Sequence, residues 1–290
     1  MKKSLLLLFC VVLWACERQA GATDIERFQE AAARGDAKGQ FCLGVSYAHG
    51  IGVPKDEAKA VEWLQKAADQ GLAAAQDSLG GMYYDGRGVP KDEAKAVEWY
   101  QKAATQGDAE AQCNLGMSYA NGRGVPKDEV KAVEWFQKAA AQGLDVAQSN
   151  LGTMYANGRG VPKDEATAVE WYQKSADQGD AMAQCKLGLM YANGRGVPKD
   201  EAKAFEWWQK SAAQGDAKAQ FNLGCMYYDG RGVPKDEVQA YAWFNLAAGN
   251  NDSDANKERE ILEKKMTLEQ KAAAQKLSTE LFGKIKKPQE

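Results

Sequence analysis

The chain has 290 residues, of which 44% are hydrophobic and 27% are charged, and its formal net charge at pH 7 is −3. Acidic and basic residues are interleaved along the whole chain, so neither a basic surface for nucleic acid nor an acidic tail is indicated. This composition predicts a folded protein and disfavours nucleic acid as a partner.

The first 22 residues have the organisation of an export signal. Met1-Lys2-Lys3 is positively charged, and the apolar run from Leu5 to Ala15 is too short to span a bilayer as a mature helix. Leu13-Trp14-Ala15-Cys16 resembles a bacterial lipobox, in which Cys16 would carry a lipid and anchor the protein to the outer membrane. Ala20-Gly21-Ala22 instead fits ordinary cleavage, which would release a soluble periplasmic or secreted protein. We favour the lipid anchor, because the apolar run ends directly at the cysteine.

The main part of the chain is a tandem array. A stretch that begins Gly88-Val89-Pro90-Lys91-Asp92 recurs almost unchanged, and its proline returns every 36 residues (90 − 54 = 36). The six prolines are Pro54, Pro90, Pro126, Pro162, Pro198 and Pro234. A period of this length predicts a solenoid, in which each repeat buries its apolar face against its neighbours. We expect six repeats over residues 36–250, preceded by a half-repeat over residues 24–35.

Each repeat is predicted to contain two amphipathic helices, A and B, joined by a loop. In the first repeat, helix A covers about residues 36–49 and helix B about residues 56–70. Asp56 is the expected N-cap of helix B, and Gly71 is expected to adopt the left-handed conformation after it. The apolar stripe of helix B has the spacing i, i+3, i+4, i+7 and i+8, and its members are Ala60, Trp63, Leu64, Ala67 and Ala68.

Three motifs of the repeat carry a family resemblance. Ala-Gln-x-x-Leu-Gly-x-x-Tyr, Gly-Arg-Gly-Val-Pro-Lys-Asp and Lys-Ala-x-x-Trp-x-x-Lys-Ala-Ala-x-Gln-Gly occur, for example, at residues 111–119, 122–128 and 131–143. Together they resemble the Sel-one-like repeat (SLR), a relative of the tetratricopeptide repeat, over about residues 24–250. The resemblance implies an all-α, right-handed α/α superhelix and a role as a protein-protein interaction scaffold.

The sixth helix B differs from the others on its outward face. Ala242 and Leu246 stand where the first repeat has a glutamate and a lysine. Because an apolar face needs a cover, we expect two capping helices and a tail within residues 251–290. A capping box at Thr267 opens the second of these helices, and Gly283 is expected to stop it. A dimer interface is the alternative use of the same residues, and we favour a monomer.

Four cysteines lie beyond the export segment, namely Cys42, Cys113, Cys185 and Cys225. Cys113 and Cys185 take the same repeat position two repeats apart, and stacked helix layers lie about 10 Å apart, whereas a disulfide needs Cα atoms within roughly 7 Å. No obvious pairing exists within one repeat either. We interpret these thiols as small apolar residues on a surface groove. A bridge between repeats stays open as the alternative.

The sequence shows no catalytic constellation. His49 is the single histidine, and its place in the other copies is taken by aspartate or asparagine. The loops typified by Gly122-Arg123-Gly124 follow helices and lack the P-loop lysine and hydroxyl, so we interpret them as turns. We therefore predict a non-enzymatic protein without a metal or a cofactor. Two alternatives are a secreted host-interaction factor and a β-lactamase or penicillin-binding hydrolase, an activity associated with cysteine-rich members of the resembled family. The chain contains no Ser-x-x-Lys motif.

Aromatic residues also recur at fixed positions. Trp63 and Tyr47 have counterparts in all six repeats, and this invariance predicts that both series pack in the core.

The candidate binding site lies where the copies differ. The variable helix A positions of the first repeat follow the spacing i, i+3, i+7, i+10 and i+11, which places them on one face. By resemblance to tetratricopeptide arrays, this face would line a concave groove, and an apolar strip there predicts a site for an extended or helical peptide. The alternative is that these residues only help helix A to pack against the next copy. The candidate partner-binding residues are Met182, Cys185, Leu189, Lys218, Phe221, Cys225, Tyr228, Phe41, Val45 and Met117.

Overall fold

The computed structural model describes residues 22–286, and every helix or strand assigned in that range is an α-helix. The predicted export segment, apart from its last residue, lies outside the described residues, and so does Cys16. The chain divides into two compact subdomains, an N-terminal one that ends at Gln142 and a C-terminal one that begins at Gly143.

Fifteen helices follow one another along the described chain. The N-terminal subdomain contains α1 (Ala22–Ala33), α2 (Ala37–His49), α3 (Glu57–Asp69), α4 (Ala73–Asp85), α5 (Glu93–Thr105), α6 (Ala109–Asn121) and α7 (Glu129–Ala141). The C-terminal subdomain contains α8 (Asp145–Asn157), α9 (Glu165–Asp177), α10 (Ala181–Asn193), α11 (Glu201–Ala213), α12 (Ala217–Asp229), α13 (Glu237–Gly249), α14 (Ser253–Glu263) and α15 (Leu268–Lys286). Within each subdomain, every repeat helix packs against its neighbours in the chain. The predicted all-α architecture of successive helix pairs is confirmed.

Local chemistry sets the ends of the helices within one residue of the predicted bounds. Asp56 Oδ1 accepts a hydrogen bond from the Lys59 N–H at 3.0 Å, and an aspartate fills the same N-cap at the other five B helices. Gly71 has a φ of +87°, which is the left-handed conformation expected after helix B. Helix A ends on a second left-handed glycine, as at Gly50 with a φ of +73°.

The two helices of a repeat approach most closely at a helix A glycine. A Cβ atom placed on Gly80 would lie 2.7 Å from the Tyr100 ring and 3.1 Å from the Ala96 carbonyl oxygen. Gly152 faces the Tyr172 ring in the same way, at 2.8 Å. Only glycine leaves room for this contact, so the contact sets the distance between helix A and helix B of a repeat. The helix B residue at this position is buried in every copy: Leu64, Tyr100, Phe136, Tyr172, Trp208 and Phe244.

The recurrent tryptophans lie at the edge of the core. The prediction that they are core residues is wrong for five of the six, which are half-buried, and holds only for Trp243 at 8% exposed. Trp99 packs against the first core cluster, and Lys102 Nζ lies 3.8 Å from the centroid of its ring. Four other repeats show the same pair at 3.9–4.1 Å. The lysine three residues on therefore shields the indole from water. The tyrosines of the Tyr47 series are half-buried as well.

A buried glutamine joins helix A to two neighbouring B helices. Gln112 Nε2 donates to the Ala104 carbonyl oxygen of the preceding repeat at 3.2 Å, and Gln112 Oε1 accepts from Gln142 Nε2 at 2.9 Å. Gln142 Nε2 also donates to the Gly107 carbonyl oxygen at 2.9 Å. The side-chain pair recurs in all six repeats, with Asn250 as the donor in the last. These bonds satisfy a polar group inside an apolar stripe.

Two C-terminal helices cover helix B of the sixth repeat. Ala242 is fully buried and Leu246 is 7% exposed. Tyr241 packs in one cluster with Leu262, and Leu246 packs in another with Leu281. The predicted C-terminal helical cap is therefore confirmed.

The second capping helix runs further than predicted. Its capping box forms as expected, because Thr267 Oγ1 accepts from the Gln270 N–H at 3.2 Å and Gln270 Oε1 accepts from the Thr267 N–H at 2.9 Å. The helix then continues through Gly283 to Lys286, so the prediction that this glycine stops it is wrong. Ile285, beyond the glycine, packs against the core of the last repeat, and this tertiary contact outweighs the weak helix propensity of glycine.

Among residues 22–142, the described part of the N-terminal subdomain, one carboxyl group is buried. Asp77 of α4 is 8% exposed, and its Oδ1 accepts a hydrogen bond from Asn114 Nδ2 of α6 at 2.9 Å. Burial raises the pKa of Asp77 to about 7, with the Asp108 and Glu110 carboxylates adding to the rise and the Asn114 hydrogen bond opposing it.

Gly80→Ala tests the close approach of the helices. It should destabilise the protein by about 1–3 kcal/mol, because the new Cβ atom would collide with the Tyr100 ring. Gly81→Ala, one position further along α4, is the matched control: the nearest atom, Tyr100 Oη, is 3.9 Å from its Cβ position. There the higher helix propensity of alanine should stabilise the protein by up to about 1 kcal/mol. Thermal unfolding followed by circular dichroism measures both variants, and shifts in the same direction would contradict the steric account.

Asp77→Asn tests the buried carboxyl group. The pKa of Asp77 is about 7 in the folded chain against an ordinary value of 3.8, so the folded state holds the proton more tightly. The resulting stabilisation is complete below about pH 4 and is lost as the pH rises to about 7. Relative to the parent protein, Asp77→Asn should therefore melt at a higher temperature at pH 8, with a smaller difference at pH 4.

The exposed Asp69, whose carboxylate accepts from Gln65 Nε2, provides the control as Asp69→Asn. This variant should show no comparable gain between the two pH values. A difference between Asp77→Asn and the parent that does not change with pH would mean that folding does not raise the pKa of Asp77.

Candidate protein-interaction face

The helix A face of the C-terminal subdomain exposes apolar side chains. On α10, Met182 is 57% exposed and Leu189 is 42% exposed. Cys185 lies between them on the same face and is half-buried. We call the surface formed by these residues and by Lys218, Phe221, Cys225 and Tyr228 of α12 the helix A face. Clustered apolar side chains at a protein surface mark sites for another molecule.

The α12 part of the helix A face is more covered than the α10 part. Lys218 is exposed, whereas Phe221, Cys225 and Tyr228 are half-buried. The Phe221 ring centroid lies 5.7 Å from that of Phe244 on α13, and Lys265 Nζ donates to the Tyr228 hydroxyl oxygen at 2.9 Å. Tyr228 therefore helps to hold the C-terminal cap, and Phe221 packs against the cluster that contains cap residues, while both contribute to the face.

Positive charge borders the exposed apolar residues. Lys186 is half-buried on α10, with Nζ 5.7 Å from the Tyr172 ring centroid. Burial lowers the pKa of Lys186, and Lys218 nearby lowers it further. Burial and the adjacent Asp216 carboxylate raise the pKa of Cys185 to about 12, so this thiol stays neutral and acts as an apolar group. The helix A face thus combines an apolar strip with two lysines.

Lys186 was not among the residues predicted from the sequence. It lies one position after Cys185, outside the series of positions read as variable and exposed. The available signal was a change of type at that position, since only the fifth repeat has a charged residue there. The other copies have Cys42, Ser78, Asn114, Asn150 and Asn222.

In the N-terminal subdomain the equivalent surface is smaller. Met117 is 37% exposed and Val45 is half-buried. Phe41 is only 6% exposed and belongs to the first core cluster, so the prediction that it lies on the open face is wrong. Cys113, at the same repeat position, is 2% exposed. Side chains at this position point toward helix A of the next repeat. Asp77, the counterpart in the second repeat, shows this, because it accepts a hydrogen bond from that helix.

Within residues 22–286, none of the four cysteines is joined in a disulfide, so the bridge between repeats that the sequence left open does not form there. Burial raises the pKa of Cys225 to about 11, as it does that of Cys185. His49 is exposed, and no group of three or more His, Cys, Asp or Glu side chains within residues 22–286 is arranged to hold a metal ion. In the same range, no helix combines the length and the apolar character needed to cross a bilayer.

The Gly-Arg-Gly loops are turns, as predicted. Gly86 and Gly88 have φ values of +73° and +69°, and a Cβ atom on Gly88 would collide with the Glu57 carbonyl oxygen of the preceding repeat. Arg195 forms an ion pair at 2.9 Å with Glu165, which begins the preceding helix B. Each loop therefore joins the two helices of its own repeat and also contacts helix B of the preceding repeat.

Comparison with known proteins identifies the repeat. The Sel1 repeat family model matches residues 37–72, 73–108, 109–144, 145–180, 181–216 and 217–252. A Sel1 repeat protein from Oxalobacter formigenes is 37% identical over 88% of this chain and 75% of its own, with a TM-score of 0.73. A protective antigen of uropathogenic Escherichia coli with an SLR fold is 29% identical over 91% of this chain and 80% of its own, with a TM-score of 0.48. A search of curated proteins found no match.

Proposed function

This chain belongs to the Sel1 repeat family, and on that premise we propose that it binds a peptide segment of a partner protein along the helix A face of its fifth and sixth repeats. Sel1 repeat proteins generally mediate protein interactions and are typically non-catalytic. The observation that carries the proposal is the exposure of Met182 and Leu189, at 57% and 42%, beside two lysines.

The chemistry of the face defines the peptide that would fit it. Met182 and Leu189 are seven residues apart on one helix, which corresponds to about 10 Å along its axis. A polyproline-type peptide places side chains three residues apart on the same side, at roughly the same spacing. Lys186 and Lys218 favour carboxylates in the partner. We therefore propose a ligand with two apolar residues separated by two others, and with an acidic residue close by.

The thiols on the face support binding rather than covalent catalysis. The thiolate is the nucleophilic form of cysteine. The pKa values of Cys185 and Cys225 are raised to about 12 and about 11, mainly by burial. Both side chains are therefore protonated at neutral pH, and we propose a non-enzymatic scaffold.

Leu189→Asp tests the peptide-binding proposal. Peptides selected on the immobilised protein from a displayed random library should be enriched in apolar residues three positions apart and in acidic residues. A synthetic copy of the best peptide should bind Leu189→Asp at least about tenfold more weakly than the parent in fluorescence anisotropy, because a carboxylate replaces an apolar contact. The melting temperature should change little, since Leu189 is 42% exposed.

Val130→Asp is the matched control, because Val130 is an apolar side chain that is 56% exposed on a helix B and is not one of the residues of the helix A face. This variant should bind the peptide as the parent does. If the selected peptides bind Leu189→Asp and the parent equally well, or are weakened as much by Val130→Asp, the proposed site is wrong.

We also propose that the protein is exported to the bacterial cell envelope and anchored there by a lipid on Cys16. The positive start, the short apolar run and its end at the cysteine support this proposal. A lipid anchor would hold the repeats at a membrane surface and leave the helix A face available to proteins of the envelope.

Labelling of bacterial cells with radioactive palmitate tests the anchor. The parent protein should take up label, and Cys16→Ser should lose it and leave the membrane fraction. Cys42→Ser, which removes a thiol of the folded repeats, should keep the label. An unlabelled parent protein whose mature chain begins at Thr23 would instead establish cleavage after Ala22.

A further inference from the structure

A cleft of about 600 Å³ lies at the C-terminal end of the C-terminal subdomain, between α13, α14 and α15. Its lining includes the amides of Asn245 and Asn256 and the apolar side chains of Leu246 and Phe282. Among the described residues that line the cleft, Arg259 alone is charged. This C-terminal cleft is separate from the helix A face.

Arg259 stands at a position that is otherwise part of the core. The spacing of the repeats continues into α14, so that Asn256 takes the place of Gln220 and Arg259 takes the place of Leu223 (259 − 223 = 36). A leucine at that place would have continued the apolar core, and the chain has a cation instead. The six leucines of this series are 0–2% exposed: Leu43, Leu79, Leu115, Leu151, Leu187 and Leu223.

Two amides hold the Arg259 guanidinium in one orientation. Arg259 Nη1 donates to Asn245 Oδ1 at 3.0 Å, and Nη2 donates to Asn256 Oδ1 at 2.8 Å. A guanidinium has five N–H groups, and the buried Nε of Arg259 has no acceptor. The adjacent Glu260 carboxylate accepts from Asn256 Nδ2 at 3.0 Å and forms no ion pair with Arg259. Within the described chain, the cation is therefore fixed in place without an anionic partner.

Arg259 is half-buried, and its Nε is fully covered. A positive charge that is partly removed from water is stabilised by an anion or by several acceptors. Neutral amides orient the Arg259 guanidinium but do not balance its charge. A carboxylate does both, because its two oxygens match two parallel N–H groups of an arginine. The apolar lining, with Leu246, Phe282 and Ile285, suits a hydrocarbon group attached to that carboxylate.

We propose that the C-terminal cleft binds a carboxylate carried on an apolar group, with Arg259 as its ion-pair partner. The volume of about 600 Å³ is within the usual range for a small-ligand site. Such a carboxylate has two sources, the C-terminus of a peptide that ends in an apolar residue and a free organic acid.

Calorimetric titration of the full chain tests the proposal. The probes are N-acetyl-phenylalanyl-leucine with a free carboxylate, the same dipeptide as its amide, and 3-phenylpropionate. The dipeptide acid should bind saturably, and the amide at least about tenfold more weakly. Binding of phenylpropionate as tight as that of the dipeptide acid would identify a free acid as the source, whereas tighter binding of the dipeptide acid would identify a peptide C-terminus.

Arg259→Gln should weaken binding of the dipeptide acid by at least about tenfold. Arg231→Gln is the matched control, because it removes the same charge from a loop arginine that is paired with Asp229 at 3.1 Å in the same subdomain. Arg231→Gln should bind the acid as the parent does. Equal binding of acid and amide, equal binding by Arg259→Gln and the parent, or no saturable binding of either acid would overturn the proposal.

Arg259→Lys tests the same proposal if the Arg259→Gln variant does not fold. Lysine retains the charge but not the planar fork that pairs with two oxygens, so its affinity for the dipeptide acid should fall below that of the parent. The acid should also raise the melting temperature of the parent, and raise that of Arg259→Lys less. Parent-like binding and parent-like thermal stabilisation in Arg259→Lys would exclude the paired geometry.

Discussion

The approach of a helix A glycine to a helix B ring is the contact on which the other features of the repeat depend. At Gly80 the distance leaves no space for even one more carbon atom, so the two backbones are held at a fixed separation. That separation brings the buried glutamine of helix A within reach of its amide partner on helix B. Because one side of helix A is pressed against helix B, its other side is available to the next repeat and to solvent. Both the core and the candidate face follow from this single steric limit.

The sequence predicts the architecture, because the architecture depends on local signals that recur in every repeat. Period, caps and turn glycines placed the helix ends of the first repeat within one residue. The core is less predictable from the sequence, because a residue that recurs in every repeat is not always a buried one. The Trp63 series lies instead at the edge of the core, where a lysine three residues further on covers the indole in five of the six repeats. Leu64 and its counterparts vary between leucine, tyrosine, phenylalanine and tryptophan and are nevertheless buried. The helix B side chain that packs on the glycine can differ in size between repeats when the neighbouring side chains compensate. A single sequence does not show which neighbours compensate.

The candidate face was readable only in part. Met182 and Leu189 follow from helical periodicity and are exposed. Phe41 shares that periodicity but is buried, because its direction depends on how one repeat packs on the next, which spacing within a helix does not encode. Arg259 is not predicted as a site residue from the sequence, because the apolar positions of α14 indicate only a cover for the last repeat. An alignment of α14 with the preceding A helices shows that Arg259 replaces the leucine found at this position in all six repeats.

The glutamine pairs have a consequence for how such a chain can change over generations. In each of the six copies the two partners are 30 residues apart. Recombination between equivalent points of two copies removes or adds a whole period, and the new junction restores a donor and an acceptor at the same separation. No orphaned amide results inside the array, so its length can grow or shrink one period at a time without the penalty that an insertion imposes on a single-core protein.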